Sequence, residues 1–298
     1  METLSLVPYV RLPRAYAQRE ILHSTVDTFG RAHWLLGDRP ARAPYDALVV
    51  TVDDGQVQET HLSAVTARHP MLDALPDGGF VVADARRRGD ADHVQVFGAL
   101  GRHSWSFAVG DALEHLLTDE SGDLWVGYFD EGVFGGDPLS EPGLRRWSSS
   151  GEALWEMKPA SGIEYVADCY ALNVDKGTAW ACPYTEWPLL EIRENGSVTV
   201  RSTPVAGARA LAVHGGGAAL FGGYEDDVDR LVLCTLTGTA AEPYATTTLV
   251  RPDGTAVGRR RVVGRGPRIY VQPEPCTAWE VWDLSMLGRE ALVGMALA

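Results

Sequence analysis

The sequence predicts an all-β fold, a six-bladed β-propeller of four-stranded antiparallel blades whose ring is closed by the amino-terminal strand. The first observation behind this is a motif that recurs six times in the 298 residues: an apolar stretch, a Gly/Asp-rich turn, and a second apolar stretch holding an aromatic or large aliphatic residue. Its copies centre on Trp34, Phe80, Trp125, Trp180, Leu220 and Tyr270, spaced by 46, 45, 55, 40 and 50 residues. Such periods with strand-turn-strand content are those of propeller blades. The second observation is turn chemistry. Asp53-Asp54-Gly55, Pro76-Asp77-Gly78, Ser121-Gly122-Asp123, Asp175-Lys176-Gly177, Glu194-Asn195-Gly196 and Pro252-Asp253-Gly254 all supply residues that tolerate positive φ or preset a turn.

Taken in order, residues 4–12 precede the first inner strand, near residues 21–26, and are expected to complete the last blade, so that neither end of the ring leaves an unpaired edge. The third repeat shows a blade in full: strands at 113–118, 124–129, 143–148 and 152–158, the last following Ser149-Ser150-Gly151. The fourth repeats this at 169–174, 178–182, 189–193 and 197–202. The sixth supplies 268–272 and 278–283, with 291–297 as further strand material. No stretch has convincing helical periodicity. The 55-residue interval between Trp125 and Trp180 leaves room for a seventh blade. Repeats running from end to end make residues 1–298 one domain.

Composition narrows the function class. A net charge of −14, from 26 Lys and Arg against 40 Asp and Glu, argues against nucleic acid and anionic membrane as partners. Four cysteines, Cys169, Cys182, Cys234 and Cys276, form no C-x-x-C pair and sit in apolar runs, which fits a reducing compartment. With no basic, apolar leader at the amino terminus and no apolar run of membrane-spanning length, a cytoplasmic location is expected.

In a propeller, the loop entering each innermost strand and the loop leaving the second strand lie at one mouth of the central channel. Residues at those positions include Asp111, Glu114, Asp130, Glu131, Asp168, Tyr170, Tyr184 and Tyr224. The sequence reading takes Asp130, Glu131, Asp168, Tyr170, Tyr184, Tyr224 and Glu114 as ligand-binding. It takes Glu114, Asp130, Glu131 and Asp168 as candidate ligands for a channel Ca²⁺ or Mg²⁺, since hard cations want oxygen donors from several loops. Carboxylates converging without a nearby Lys or Arg would need a cation, a proton or bulk water to offset their repulsion. The other reading is of solvated turn formers.

Four segments carry a resemblance: Trp125-Val126-Gly127-Tyr128-Phe129-Asp130-Glu131-Gly132-Val133-Phe134-Gly135, Asp168-Cys169-Tyr170-Ala171-Leu172-Asn173-Val174, Tyr184-Thr185-Glu186-Trp187-Pro188-Leu189, and Ala219-Leu220-Phe221-Gly222-Gly223-Tyr224. Over roughly residues 110–225 the chain resembles a group of mostly actinobacterial proteins with a W-V-x-Y-F-D-E-G-V-F-G segment followed by D-C-Y-A-L-N-V. The resemblance implies a propeller related to the NHL and two-component-regulator types, and no established activity.

Three functions follow as expectations. One is a rigid module that binds a protein or small molecule at an acidic channel mouth. A second is a divalent-metal hydrolase resembling six-bladed lactonases and gluconolactonases. A third is a metal-free lyase or cyclase with Glu131 as general base. The G-x-S-x-G, H-E-x-x-H and Walker patterns are absent.

Overall fold

A computed structural model describes residues 3–37, 43–87 and 89–287. The chain divides into two compact units, one of residues up to Tyr9, Pro159–Glu164 and Tyr170 onward, the other Val10–Lys158 and Tyr165–Cys169. The sequence reads as a single domain, and each unit is described by itself.

Two short strands open the chain, β1 (Thr3–Ser5) and β2 (Val7–Arg11), both paired within the first unit's sheets. The second unit holds three four-stranded sheets. They are β3 (Glu20–Val26), β4 (Ala32–Gly37), β5 (Tyr45–Asp53) and β6 (Gln56–Val65); then β7 (Pro70–Ala74), β8 (Phe80–Asp84), β9 (Val94–Phe97) and β10 (His103–Phe107); then β11 (Leu113–Thr118), β12 (Leu124–Tyr128), β13 (Leu144–Trp147) and β14 (Ala153–Glu156). Within each, neighbours in sequence pair antiparallel.

The first unit contains β15 (Asp168–Asp175) from Tyr170 onward, with β16 (Thr178–Tyr184), β17 (Leu189–Ile192) and β18 (Val198–Arg201). A second quartet is β19 (Ala210–His214), β20 (Gly217–Phe221), β21 (Arg230–Leu236) and β22 (Ala241–Val250), extended by β1 in parallel with β22. A third is β23 (Arg260–Arg265), β24 (Arg268–Pro273), β25 (Ala278–Asp283) and β2, which lies beside β25. The segment expected to complete the last sheet is thus split at buried Leu6, with one piece on β25 and the other on β22.

Hydrogen bonding groups the strands into five sheets among the described residues, not the six separate blades of the sequence reading. The reason is a single parallel bridge, Asn173 to Gly264, which fuses two quartets into one eight-stranded sheet. The 55-residue interval that left room for a further blade holds β13, β14, the bridge Ala160 to Ile163 and a one-turn helix, α1 (Asp130–Val133). That helix corrects the expectation of no helix. The strand expected at 291–297 lies outside the described residues.

Packing explains the repeat. Sheets stack face to face within each unit: Leu35, Val49 and Leu62 against Leu72, Val82 and Phe97, and Val81 and Val96 against Leu116 and Val126. In the first unit Leu211, Leu220 and Val232 pack on Ala171 and Leu189, while Phe221 and Leu231 pack on Ile269 and Val271. The middle sheet of each unit therefore has a neighbour on both faces, through β8 and β20, and β4, β8, β12 and β20 are buried throughout. A strand covered on both sides reads as a continuous apolar run rather than an alternating one. Its central ring, Trp34 or Trp125, is fully buried, which stabilises by about 1.5–3 kcal/mol for a side chain of this kind. Outer strands such as β6 alternate between buried and exposed.

Candidate ligand-binding site

The predicted site residues divide into two groups, one in each unit. In the second unit the carboxylates are not left without cations. Arg86, just past β8, reaches Glu131 at 2.5 Å and Asp111 at 3.4 Å. Arg87 donates its backbone amide to the Asp111 carboxylate at 2.6 Å and pairs with Asp137 at 2.8 Å. Burial alone would raise the Asp137 pKa, but the Leu139 amide and Arg87 outweigh it and hold the carboxyl below its ordinary range. Beside this network, burial first and then the Arg87 charge push the His93 pKa down.

Asp130 opens α1 and accepts from the Glu131 amide at 2.7 Å, while Glu131 remains 60% exposed. Glu114 is the extra residue where the β11 to β12 register shifts between Leu113 and His115, and it points to solvent. Asp168 is half-buried at the start of β15. Among the described residues no group of three or more His, Cys, Asp or Glu side chains is disposed to hold a metal. Glu114, Asp130, Glu131 and Asp168, the set expected to hold a metal, form no such group, and at Glu131 the positive charge comes from Arg86. The sequence reading missed Arg86 and Arg87 because it looked for carboxylates at strand ends, although both arginines leave β8 at the position it had singled out elsewhere.

The first unit brings Tyr170, Tyr184 and Tyr224 together. Tyr170 enters β15, Tyr184 ends β16 and Tyr224 follows β20, so three separate chain positions of the same topological kind converge. Tyr224 donates its hydroxyl to Tyr170 at 3.0 Å. A fourth ring, Trp187, fills the middle: its centroid lies 4.5 Å from Tyr170, 5.4 Å from Tyr184 and 6.0 Å from Tyr224, edge to face each time. Tyr170 and Tyr184 stack at 6.3 Å. These are the separations and tilts at which ring quadrupoles attract.

Arg209, in the loop entering β19, lays its guanidinium 3.9 Å from the centroid of the Tyr170 ring. Its side chain is exposed and makes no ion pair among the described residues. Partial burial, and then the hydrogen bond to Tyr170, raise the Tyr224 pKa to about 12, so its phenol is neutral at physiological pH.

Two features show that the arrangement is built. Trp187 has φ of +56° and precedes Pro188. A bulky residue rarely occupies that region, and a following proline disfavours it further, so holding it there costs on the order of 1–3 kcal/mol. Gly207, at φ +74°, lies flat under the Tyr224 ring, and a Cβ there would come within 2.8 Å of it. Tyr184 and Tyr224 nevertheless stay 43% and 47% exposed. A folded chain that pins four rings together with two of them this open offers a stacking surface.

Trp187 and Arg209 were not among the predicted site residues. Trp187 carried a signal, a Trp-Pro pair between two apolar runs, and Arg209 sits one residue before an inner strand. Asn173 is fully buried: its amide donates to Leu211 and Gly266 carbonyls at 2.7 and 3.0 Å and accepts from the Gly266 amide at 2.8 Å. It ties β15 to the strands on either side of the turn at Gly266 and to β19.

No protein-family model and no curated protein matches the chain. Solved structures do. Virginiamycin B lyase from Staphylococcus aureus aligns at TM-score 0.52 and 12% identity over 91% of this chain and 82% of its own. A streptogramin B lyase aligns at TM-score 0.52 and 11% identity over 87% and 78%, and Hsv2 from Kluyveromyces lactis at 0.53 and 8% over 90% and 75%. At these identities the likeness is one of fold: the chain is an all-β protein of β-propeller type.

Proposed function

We propose that the protein is a binding module that takes a multi-ring or otherwise flat anionic small molecule on the surface made by Tyr170, Tyr184, Trp187 and Tyr224, with Arg209 meeting the negative charge. The observation that carries this is the unpaired Arg209 guanidinium lying against a partly open cluster of four rings. The ring faces provide sequence-independent stacking area at low conformational cost, because aromatic side chains have few rotatable bonds. A second cation would be repelled by Arg209, whereas an anion gains a charge-assisted hydrogen bond there. The ligand-binding role of Asp130, Glu131, Asp168 and Glu114 is not part of this proposal.

The proposed setting is the cytoplasm, with no nucleic acid or membrane as partner. The acidic balance of the chain supports this, as do three buried free thiols at Cys169, Cys182 and Cys234. Among the described residues no helix is long and apolar enough to cross a membrane. A lyase acting through Glu131 is not favoured by the geometry, since that carboxylate is exposed and held by Arg86 rather than set in an apolar pocket.

The test is a fluorescence titration with 8-anilino-1-naphthalenesulfonate, a multi-ring anion that brightens when desolvated. Saturable one-to-one binding that falls at least tenfold in Tyr184→Ala and in Tyr224→Ala supports the reading. Unchanged titrations in both variants refute it.

A further inference from the structure

The far end of the sheet that begins with Tyr170 holds a second concavity. Asp175 lies five positions beyond Tyr170 along β15, roughly 16 Å of extended chain at about 3.3 Å per residue. Around Asp175 the turns between β15 and β16 and between β19 and β20, together with the ends of β17 and β18, line an open cavity of about 520 Å³. That volume suits a small molecule. Trp180 forms one wall, and Lys176, Arg193 and Arg201 contribute three cationic side chains against two carboxylates, Asp175 and Glu191. In a chain of net charge −14 a cavity with a cationic surplus is unusual.

The charges are ordered. Glu191, only 10% exposed at its side chain, accepts Nε of Arg193 at 2.9 Å and faces Nη1 of Arg201 at 2.8 Å. Arg201 in turn donates Nε to the Thr237 carbonyl at 2.6 Å and lies over the Trp180 ring at 5.5 Å. Its position is therefore fixed from three sides. Arg193 is different: Glu191 takes only its Nε, its side chain is 59% exposed, and no protein group among the described residues meets either Nη. A guanidinium anchored at one edge and open at the other presents two parallel N–H donors, the geometry that a carboxylate matches in bidentate fashion.

We infer that this cavity is a second ligand site, for a small carboxylate carried on a single flat ring, with the ring against Trp180 and the carboxylate on the open edge of Arg193. It is independent of the site at Tyr170 and uses none of its residues. One ring wall and one open guanidinium suit a smaller molecule than the four-ring surface does. The two ends of one sheet would then bind anions of different size.

The test uses benzoate and its neutral counterpart benzamide, followed by protein-observed NMR with the tryptophan indole resonances as reporters. The expected result is saturable benzoate binding that shifts the Trp180 indole signal, falls at least tenfold in Arg193→Gln and at least tenfold when benzamide replaces benzoate, and stays within twofold in Arg209→Gln. Arg193 is exposed, so its variant is expected to keep the wild-type spectrum elsewhere. Benzoate binding that survives Arg193→Gln, equal binding of benzamide, or no binding at millimolar benzoate would each overturn the inference. Loss in Arg209→Gln alone would place the probe at the four-ring surface and overturn it equally, while leaving the reading of that surface intact.

Discussion

The guanidinium of Arg209 rests 3.9 Å from the ring centroid of Tyr170, and Tyr170 accepts a hydrogen bond from Tyr224 on its hydroxyl. The cation is thus held by a π face rather than by a carboxylate, which leaves its N–H groups available. Arg209→Lys keeps the charge but loses the planar stack. It is expected to weaken binding of the anilinonaphthalene anion about threefold to tenfold, with Arg209→Gln weaker still, as measured by titration at low ionic strength.

Asn173 makes the strongest purely structural prediction. Asn173→Ala leaves the Leu211 and Gly266 groups unsatisfied in a fully buried setting, which is expected to cost about 2–4 kcal/mol. Urea unfolding monitored by circular dichroism reads this directly. A loss below about 1 kcal/mol, the worth of a single ordinary hydrogen bond, would mean the clasp is not what joins these strands.

Much of the fold is legible because the second strands of four quartets, β4, β8, β12 and β20, are buried throughout. Trp34, Phe80, Trp125 and Leu220 mark them, and the Asp54-Gly55, Lys176-Gly177 and Gly215-Gly216 turns, at φ of 45° and 77°, 48° and 70°, and 56° and 85°, carry the paired positive values of tight hairpins. The site is legible only in part. Tyr170, Tyr184 and Tyr224 follow from their places at strand ends. Arg209 and Arg86 do not, because a cation's partner is chosen by three-dimensional neighbours: one meets a ring from another hairpin, the other a carboxylate 45 residues away. The bridge at Asn173 to Gly264 is hidden for the same reason, being a contact between residues far apart in sequence.

Acid titration tests the first turn. Asp27 is buried, which by itself would raise its pKa, but the His33 hydrogen bond and charge and the Arg31 charge outweigh this and lower it from 3.8 to about 2. A carboxyl with a lowered folded pKa stabilises fully above its unfolded value and loses that contribution as pH falls towards 2. The shift corresponds to on the order of 2 kcal/mol. Asp27→Asn should be less stable at neutral pH and show a flatter stability profile between about pH 4 and pH 2, the window between the unfolded and folded pKa values.

His93 acts in a higher window. Its pKa is lowered, by burial and then by Arg87, with Asp84, Asp111 and Asp137 the acidic groups around it. The unfolded chain then binds a proton first, so stability falls as pH drops below 6.5, the ordinary value. His93→Gln should remove that part of the pH dependence and leave the low-pH part due to Asp27 in place.

The amino terminus contributes edges to two sheets, β1 on β22 and β2 on β25. Deleting residues 1–14 removes both strands and buried Leu6 and Leu12. The shortened chain is expected to unfold or to melt at a sharply lower temperature in calorimetry. An unchanged melting temperature would show that these strands are accessory.

The most direct measurement of the central claim is the affinity of wild type and Arg209→Gln for 8-anilino-1-naphthalenesulfonate, determined side by side with Arg193→Gln as the control at the other end of the sheet. The account predicts a loss of at least tenfold in Arg209→Gln and a change within twofold in Arg193→Gln. Equal affinity in wild type and Arg209→Gln would contradict it.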